Sequence, residues 1–419
     1  MILPFVLLLG TIALAPLFAA DWWAKHYPKV AFALGAITVA YYWFGFEGGQ
    51  ARLAHHRVME TGEEYIQFIA LIGALFVVSG GIHIGVKGEA TPWVNVVFLL
   101  IGAVLANVLG TTGASMLLIR PWIRMNKYRV TAHHIVFFIL IVSNVGGCLT
   151  PVGDPPLFLG YLKGVPFWWV AEHCWPMWAV GVGMLLATFF AVDLVNFRRA
   201  PRPVREKETA HEQWRFDGLP NLFFLTVILG AVFINKPLFK PLFLREGLMI
   251  AAAVGSYFTT RESVHESNHF NFHPIQEVAI LFVGIFATMM PALDWLALNA
   301  DKLGSPTPGF FYWGSGGLSA VLDNAPTYLC FLEALMGATH DGSLPHLLTT
   351  NATSVVAISV GAVFFGACTY IGNGPNFMVK SIAEQQKVHT PTFLGYVFKF
   401  TLPYMLPMLA VVWWLFFRK

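Results

Sequence analysis

Gly147-Cys148-Leu149-Thr150-Pro151-Val152-Gly153-Asp154-Pro155-Pro156 interrupts one long apolar run, and Gly366-Ala367-Cys368-Thr369-Tyr370-Ile371-Gly372-Asn373-Gly374-Pro375 interrupts another. A constant spacing of 219 residues relates them, pairing Gly147 with Gly366, Thr150 with Thr369, Gly153 with Gly372 and Asp154 with Asn373. Gly and Pro unwind a helix, and unwound backbone at membrane depth survives only where protein buries it or where it lines a wet cavity. Matched interruptions in two halves of a chain point to the ion or substrate site of a secondary transporter.

The composition agrees. The 419 residues are 56% hydrophobic and 12% charged, against about 25% charged in soluble domains. Trp and Tyr pairs flank the apolar runs (Trp22-Trp23, Tyr41-Tyr42, Trp168-Trp169, Trp413-Trp414), as in interfacial belts. A net charge of +3 with the basic residues in loops gives no reason to expect a nucleic-acid partner. The four cysteines form no Cys-x-x-Cys pair and read as small buried hydrophobes. Residues 2–20 lack a preceding Lys or Arg and are expected to be a retained span, not a signal peptide.

Apolar runs long enough to span a bilayer occur at 2–20, 29–46, 64–86, 132–150, 174–194, 219–235, 244–260, 276–292, 348–370 and 393–417. Two other stretches, 92–119 and 308–339, each have a polar tip between two apolar arms. The tips, 107–114 and 320–327, align at a spacing of 213, with Thr111 on Asn324. They predict re-entrant hairpins. The fold class is therefore an all-α polytopic membrane protein of about ten spans, two hairpins and two broken helices in an inverted repeat. Residues 1–194 form the first repeat, with hairpin 92–119 and broken helix 132–170. A cytoplasmic linker covers 195–218. Residues 219–419 form the second repeat, with hairpin 308–339 and broken helix 348–386.

Orientation follows the Lys and Arg of short loops. Arg120, Arg124, Lys127 and Arg129 follow the first hairpin, and Arg198, Arg199, Arg202, Arg205, Lys207 and Arg215 lie in or beside the linker. Both segments are expected on the cytoplasmic side, with the loop at 47–63 outside. The expected location is the inner membrane.

Charge is scarce in the interior. Asp154, in the first break, and Asp323, at the second tip, are the two carboxylates that cannot be placed near a surface. An ionised Asp at mid-membrane costs about 2.5–3.5 kcal/mol even on a lenient scale, unless it faces water or a cation. Both also sit where helix N-caps belong. Neutral oxygen donors surround them: Asn107, Thr111, Thr112, Thr150, Asn324, Thr327, Thr369, Asn373 and Asn376. Such oxygens suit a hard cation, and Na⁺ is expected at Asp154, Asp323, Asn324 and Asn373, as cargo and not as a cofactor. No Lys or Arg falls at the tips, which favours a cation over a multivalent anion. Asn144 could line the same cavity. Glu63, Glu64 and Glu277 suit first helical turns, and His133-His134 suit a span end. An enzyme is not expected: the motifs of intramembrane aspartyl proteases, zinc proteases, serine hydrolases and P-loop proteins are all missing.

The halves with their hairpins and breaks, together with Leu322-Asp323-Asn324-Ala325-Pro326-Thr327 and Thr150-Pro151-Val152-Gly153-Asp154-Pro155-Pro156, resemble the ion transporter superfamily. Its members include NhaD-type sodium/proton antiporters, ArsB-type arsenite permeases and divalent-anion/sodium symporters. The Asp-Asn tip and the Gly-Asp-Pro-Pro break look most similar to a bacterial branch of sodium/proton antiporters and citrate-transporter-like proteins. The resemblance implies a homodimeric scaffold and a transport domain that moves as an elevator. The dicarboxylate branch carries Ser-Asn-Thr at both tips, where this chain has Gly110-Thr111-Thr112 and Asp323-Asn324-Ala325. The expected function is Na⁺/H⁺ exchange, with cation-coupled carboxylate transport as the alternative.

Overall fold

The computed structural model describes residues 1–85, 90–127, 129–199, 215–234, 243–299, 302, 304, 306–339 and 344–418. These residues form an all-α polytopic membrane protein. Gly48–Gly80, Pro92–Met125, Phe167–Arg199, His273–Asn299 and Phe393–Phe416 are long and apolar enough to cross a bilayer, and Leu344–Thr350 with Ala352–Cys368 forms a further pair bent by 97°. Other expected spans fall on Leu3–Phe18, Ala20–Phe44, Asn221–Val232 and Leu244–Thr259.

Both hairpins are present. The chain reverses at Gly110, whose φ of 74° and ψ of 156° interrupt the helix Pro92–Met125; a positive φ is open to Gly at little cost. Contacts between the arms fix their antiparallel course. Asn95 and Asn126 exchange amide hydrogen bonds of 2.9 and 3.1 Å, the Phe98 and Trp122 rings stack at 5.5 Å, and Gly102 lies against Leu118. The first hairpin thus runs to Met125, past the expected end at 119. In the second, Pro308–Ser319 packs back on Asn324–Ala338, with Gly314 against Phe331.

The broken spans hold the centre. Every side chain from Ile135 to Val142 is 0% exposed, and Val355 to Phe364 are buried throughout. A helix apolar on all sides is one wrapped by other helices, so these two segments are shielded from lipid by the rest of the protein. That shielding allows the unwound backbone that follows each.

Two boundaries differ from expectation. Residues 47–63, read as an outer loop, are helical from Gly48 onward; hydropathy locates the bilayer, whereas a run of good helix formers extends the helix beyond it. The linker expected at 195–218 is shorter: the helix Phe167–Arg199 takes its first residues, residues 200–214 lie outside the described set, and Arg215–Asp217 is a strand. That strand pairs antiparallel with His83–Gly85, in register His83 to Asp217 and Gly85 to Arg215. Two residues also depart from their expected surface roles. Arg129 is buried in a bidentate pair with Asp193, and His134, fully buried, reaches the same carboxylate at 3.1 Å. A guanidinium matched to a carboxylate in this way is tolerated inside the protein.

Long-range contacts agree with one set of sides. His83–Gly85 meets Arg215–Asp217, Asn221 donates to Gly81 O and Asn268 to Gly80 O, and Arg129 meets Asp193, all between segments expected in the cytoplasm. Tyr42 and Arg57 both contact Asp294, and Lys163 pairs with Glu64 at 2.6 Å, all between segments expected outside. Leu53 is 73% exposed, and Arg199 is also exposed. In intact cells a membrane-impermeant thiol reagent is expected to label Leu53→Cys and to leave Arg199→Cys unlabelled until the membrane is permeabilised; the reverse pattern overturns this orientation.

Candidate functional site

Asp154 stands at the N-cap of the helix Pro155–Lys163, with extended backbone (φ −144°, ψ 145°), and its side chain caps nothing. The local sequence explains this. A capping carboxylate accepts from the N–H of the second or third helical residue; Pro156 has none, and the Leu157 N–H goes to the Asp154 carbonyl at 3.1 Å. The carboxylate turns away from its own helix and is 1% exposed. Three side chains from elsewhere donate to it: Thr111 Oγ1 to Oδ1 at 2.7 Å, Asn373 Nδ2 to Oδ1 at 2.9 Å, and Asn324 Nδ2 to Oδ2 at 2.6 Å. One donor comes from each hairpin tip and one from the second break. All are uncharged.

The frame around this centre is built twice. Thr150 Oγ1 donates to Asn107 O at 2.6 Å and accepts from Gly153 N at 3.1 Å. Thr369 Oγ1 donates to Ala320 O at 2.6 Å and accepts from Gly372 N at 3.1 Å. Each Thr therefore pins its break to the facing hairpin tip by the same geometry. Asn107 further donates to Gly146 O at 2.7 Å and accepts from Leu149 N at 2.8 Å, and Thr111 N donates to Gly153 O at 2.7 Å.

Asn144 links the centre to the second break: it accepts from Asn373 Nδ2 at 3.2 Å and donates to Asn376 Oδ1 at 2.7 Å. Asn376 in turn donates to Gly366 O and Thr369 O. Thr112 lines a cavity of about 20 Å³ with Thr111, Asp154, Gly110, Leu75 and Phe76. One water needs about 10–15 Å³, so this space suits a single water or monatomic ion.

Asp323 is placed differently. It is the N-cap of Asn324–Ala338, where its carboxylate accepts from Ala325 N at 3.0 Å, and Thr327 Oγ1 donates to its carbonyl at 2.9 Å. Its neighbour Asn324, not Asp323, is hydrogen-bonded to Asp154. The expected set thus divides: Thr111, Asn324 and Asn373 converge on Asp154; Thr150, Asn107, Thr369 and Asn376 hold the frame; Thr327 and Asp323 stabilise a tip.

Some participants escaped the sequence reading. Trp178 donates to Gly146 O at 2.8 Å. Tyr396 and Thr401, from the last span, donate to Ala367 O at 2.8 Å and Cys368 O at 2.6 Å. That span holds a π-helical segment, Val397–Met405, with Pro403 inside it, a register seldom used except where function or strain requires it. Pro403 and Pro407 in an apolar stretch were the available signal.

A family model described as "Putative citrate transport" matches residues 1–417, and the chain belongs to that family. It is a multi-pass membrane transporter. No curated protein matches it significantly.

The breaks are packed backbone on backbone. A Cβ on Gly372 would lie 2.7 Å from Gly366 O and from Ser319 O, whereas one on Gly374 meets nothing within 4 Å. Gly372→Ala is expected to destabilise the protein by about 1–3 kcal/mol and to lower transport, with Gly374→Ala near neutral. Melting of the detergent-purified variants checks both.

Proposed function

We propose that the protein exchanges Na⁺ for H⁺, with Asp154 as the group that carries either ion. The observation that carries this reading is the buried Asp154 carboxylate with three uncharged donors and no Lys or Arg among its partners in the described residues. A carboxylate so placed is stabilised by a cation or a proton, and it repels a carboxylate cargo. The adjoining cavity of about 20 Å³ suits a monatomic ion in size. Rotation of the Asn324 and Asn373 amides turns acceptor oxygens toward a bound cation, and Thr111 adds a hydroxyl oxygen.

Neutral when loaded with either ion, the centre can pass the apolar barrier; empty and charged, it resists passage. Asp323 keeps the second tip folded and adds negative potential nearby. Residues 1–194 and 219–419 act as inverted repeats, in an inner-membrane homodimer whose hairpins and breaks move together as an elevator. The doubled Thr150 and Thr369 geometry supports that pairing. The family description favours a second reading, citrate transport coupled to a cation bound at Asp154.

Proteoliposomes holding the purified protein separate the two. Under an imposed pH gradient, uptake of radiolabelled Na⁺ without labelled citrate is expected, and Na⁺-dependent citrate uptake replaces the first reading with the second. Asp154→Asn is expected to abolish exchange while the protein still accumulates in membranes; Asp323→Asn is expected to weaken Na⁺ affinity without abolishing exchange. Full activity of Asp154→Asn removes the mechanism.

Competition also has a sign. Protons displace Na⁺ from one carboxylate, so apparent Na⁺ affinity rises with pH from about 6 to 9 and maximal rate at saturating Na⁺ stays constant. A pH effect on maximal rate alone places the proton elsewhere.

A further inference from the structure

Asp154 and Asn373 occupy one position twice. They are 219 residues apart. Each is the N-cap of the helix after its break, with backbone angles of −144° and 145° against −153° and 141°; each has Pro at the second helical position, and neither side chain caps its helix. The two side chains meet directly, Asn373 Nδ2 donating to Asp154 Oδ1 at 2.9 Å. The pairs of the duplicated halves thus converge on one point, where one copy supplies a carboxylate and the other an amide.

The second break uses its chain for structure. Gly366 O and Thr369 O accept from Asn376, Ala367 O from Tyr396 and Cys368 O from Thr401. Asp323 is turned to its own helix, accepting from Ala325 N. The charge hydrogen-bonded into the centre is therefore that of Asp154 alone. Asn324, 0% exposed, donates its amide to Asp154, while its buried Oδ1 has no hydrogen-bond partner among the described residues. A buried acceptor left unpaired is costly, and a bound cation would satisfy it.

Resting on the proposed cation site, we propose that Asn373 is the specificity-determining residue that holds the centre to one negative charge, so that it takes one monovalent cation and rejects divalent ones. A monovalent ion neutralises Asp154. A divalent ion leaves one positive charge uncompensated in a buried environment, where unpaired charge is strongly disfavoured; hard divalent cations are held by several carboxylates. An Asp at position 373 would set a second carboxylate against the first.

The test measures binding of radiolabelled Na⁺ and of Mn²⁺, followed by its electron paramagnetic resonance signal, to the purified full-length protein. Wild type is expected to bind one Na⁺ per chain, with Mn²⁺ failing to displace it. Asn373→Asp is expected to gain Mn²⁺ affinity on the order of 100-fold, as ligand charge count does in calcium sites, and to melt at higher temperature with Mn²⁺. Asn373→Ser keeps the single charge and keeps rejecting Mn²⁺. Where Asn373→Asp does not accumulate, Asn373→Ser decides: continued rejection of Mn²⁺ supports the single-charge rule, and Mn²⁺ binding overturns it. Wild type that binds Mn²⁺ as well as Na⁺, or a folded Asn373→Asp without Mn²⁺ gain, also overturns it while leaving cation exchange intact. Absence of Na⁺ binding to wild type overturns both.

Discussion

A peptide group inside a bilayer has no water to bond, and everything at the centre of this protein answers to that constraint. Two spans end halfway, leaving backbone donors and acceptors loose at mid-depth. The chain satisfies them with side chains from other elements: Asn107 and Trp178 at Gly146 O, Asn376 at Gly366 O and Thr369 O, and Tyr396 and Thr401 at the carbonyls between. The residues doing this are Asn, Thr, Tyr and Trp, which bring hydrogen-bonding capacity without charge. Charge enters at Asp154, where two prolines supply no N–H and the next one, on Leu157, goes to the Asp154 carbonyl.

The contrast between Asp154 and Asp323 follows from their next residues. Asp323 precedes Asn324 and Ala325, which keep their N–H groups, and it caps in the ordinary way. Asp154 precedes Pro155 and Pro156, and the first N–H of its helix, on Leu157, goes to the Asp154 carbonyl and not to the carboxylate. A dipeptide thus separates a carboxylate committed to its helix from one hydrogen-bonded to side chains of other elements. The family description names citrate, while the side chains hydrogen-bonded to the central carboxylate are Thr and Asn.

Much of this was legible in the sequence because glycine, proline and buried acids are conspicuous in apolar runs. The spacings of 219 and 213 located both breaks and both tips, and Thr111, Asn324, Asn373 and Asp154 were all among the residues singled out. Asp154 and Asp323 were given the same role because both occupy N-caps, although Pro155 and Pro156 already set Asp154 apart. Hydropathy also misplaced helix ends, as at Gly48 and Arg199, because it reports solvent and not hydrogen bonding. Arg129 looked like a loop cation; its partner Asp193 lies 64 residues on, beyond any local pattern. Tyr396 and Thr401 were hidden for the same reason.

The hydrogen bonds on Asp154 also impose an order on biogenesis. Thr111 precedes it in the chain, but Asn324 follows by 170 residues and Asn373 by 219. At a synthesis rate of about 5–20 residues per second, roughly 10–40 s pass before the last donor exists. Through that interval the first half must hold an intramembrane acid with one of its three side-chain donors in place. The centre is thus completed late, since two of the three side-chain donors on Asp154 lie in the second half of the chain.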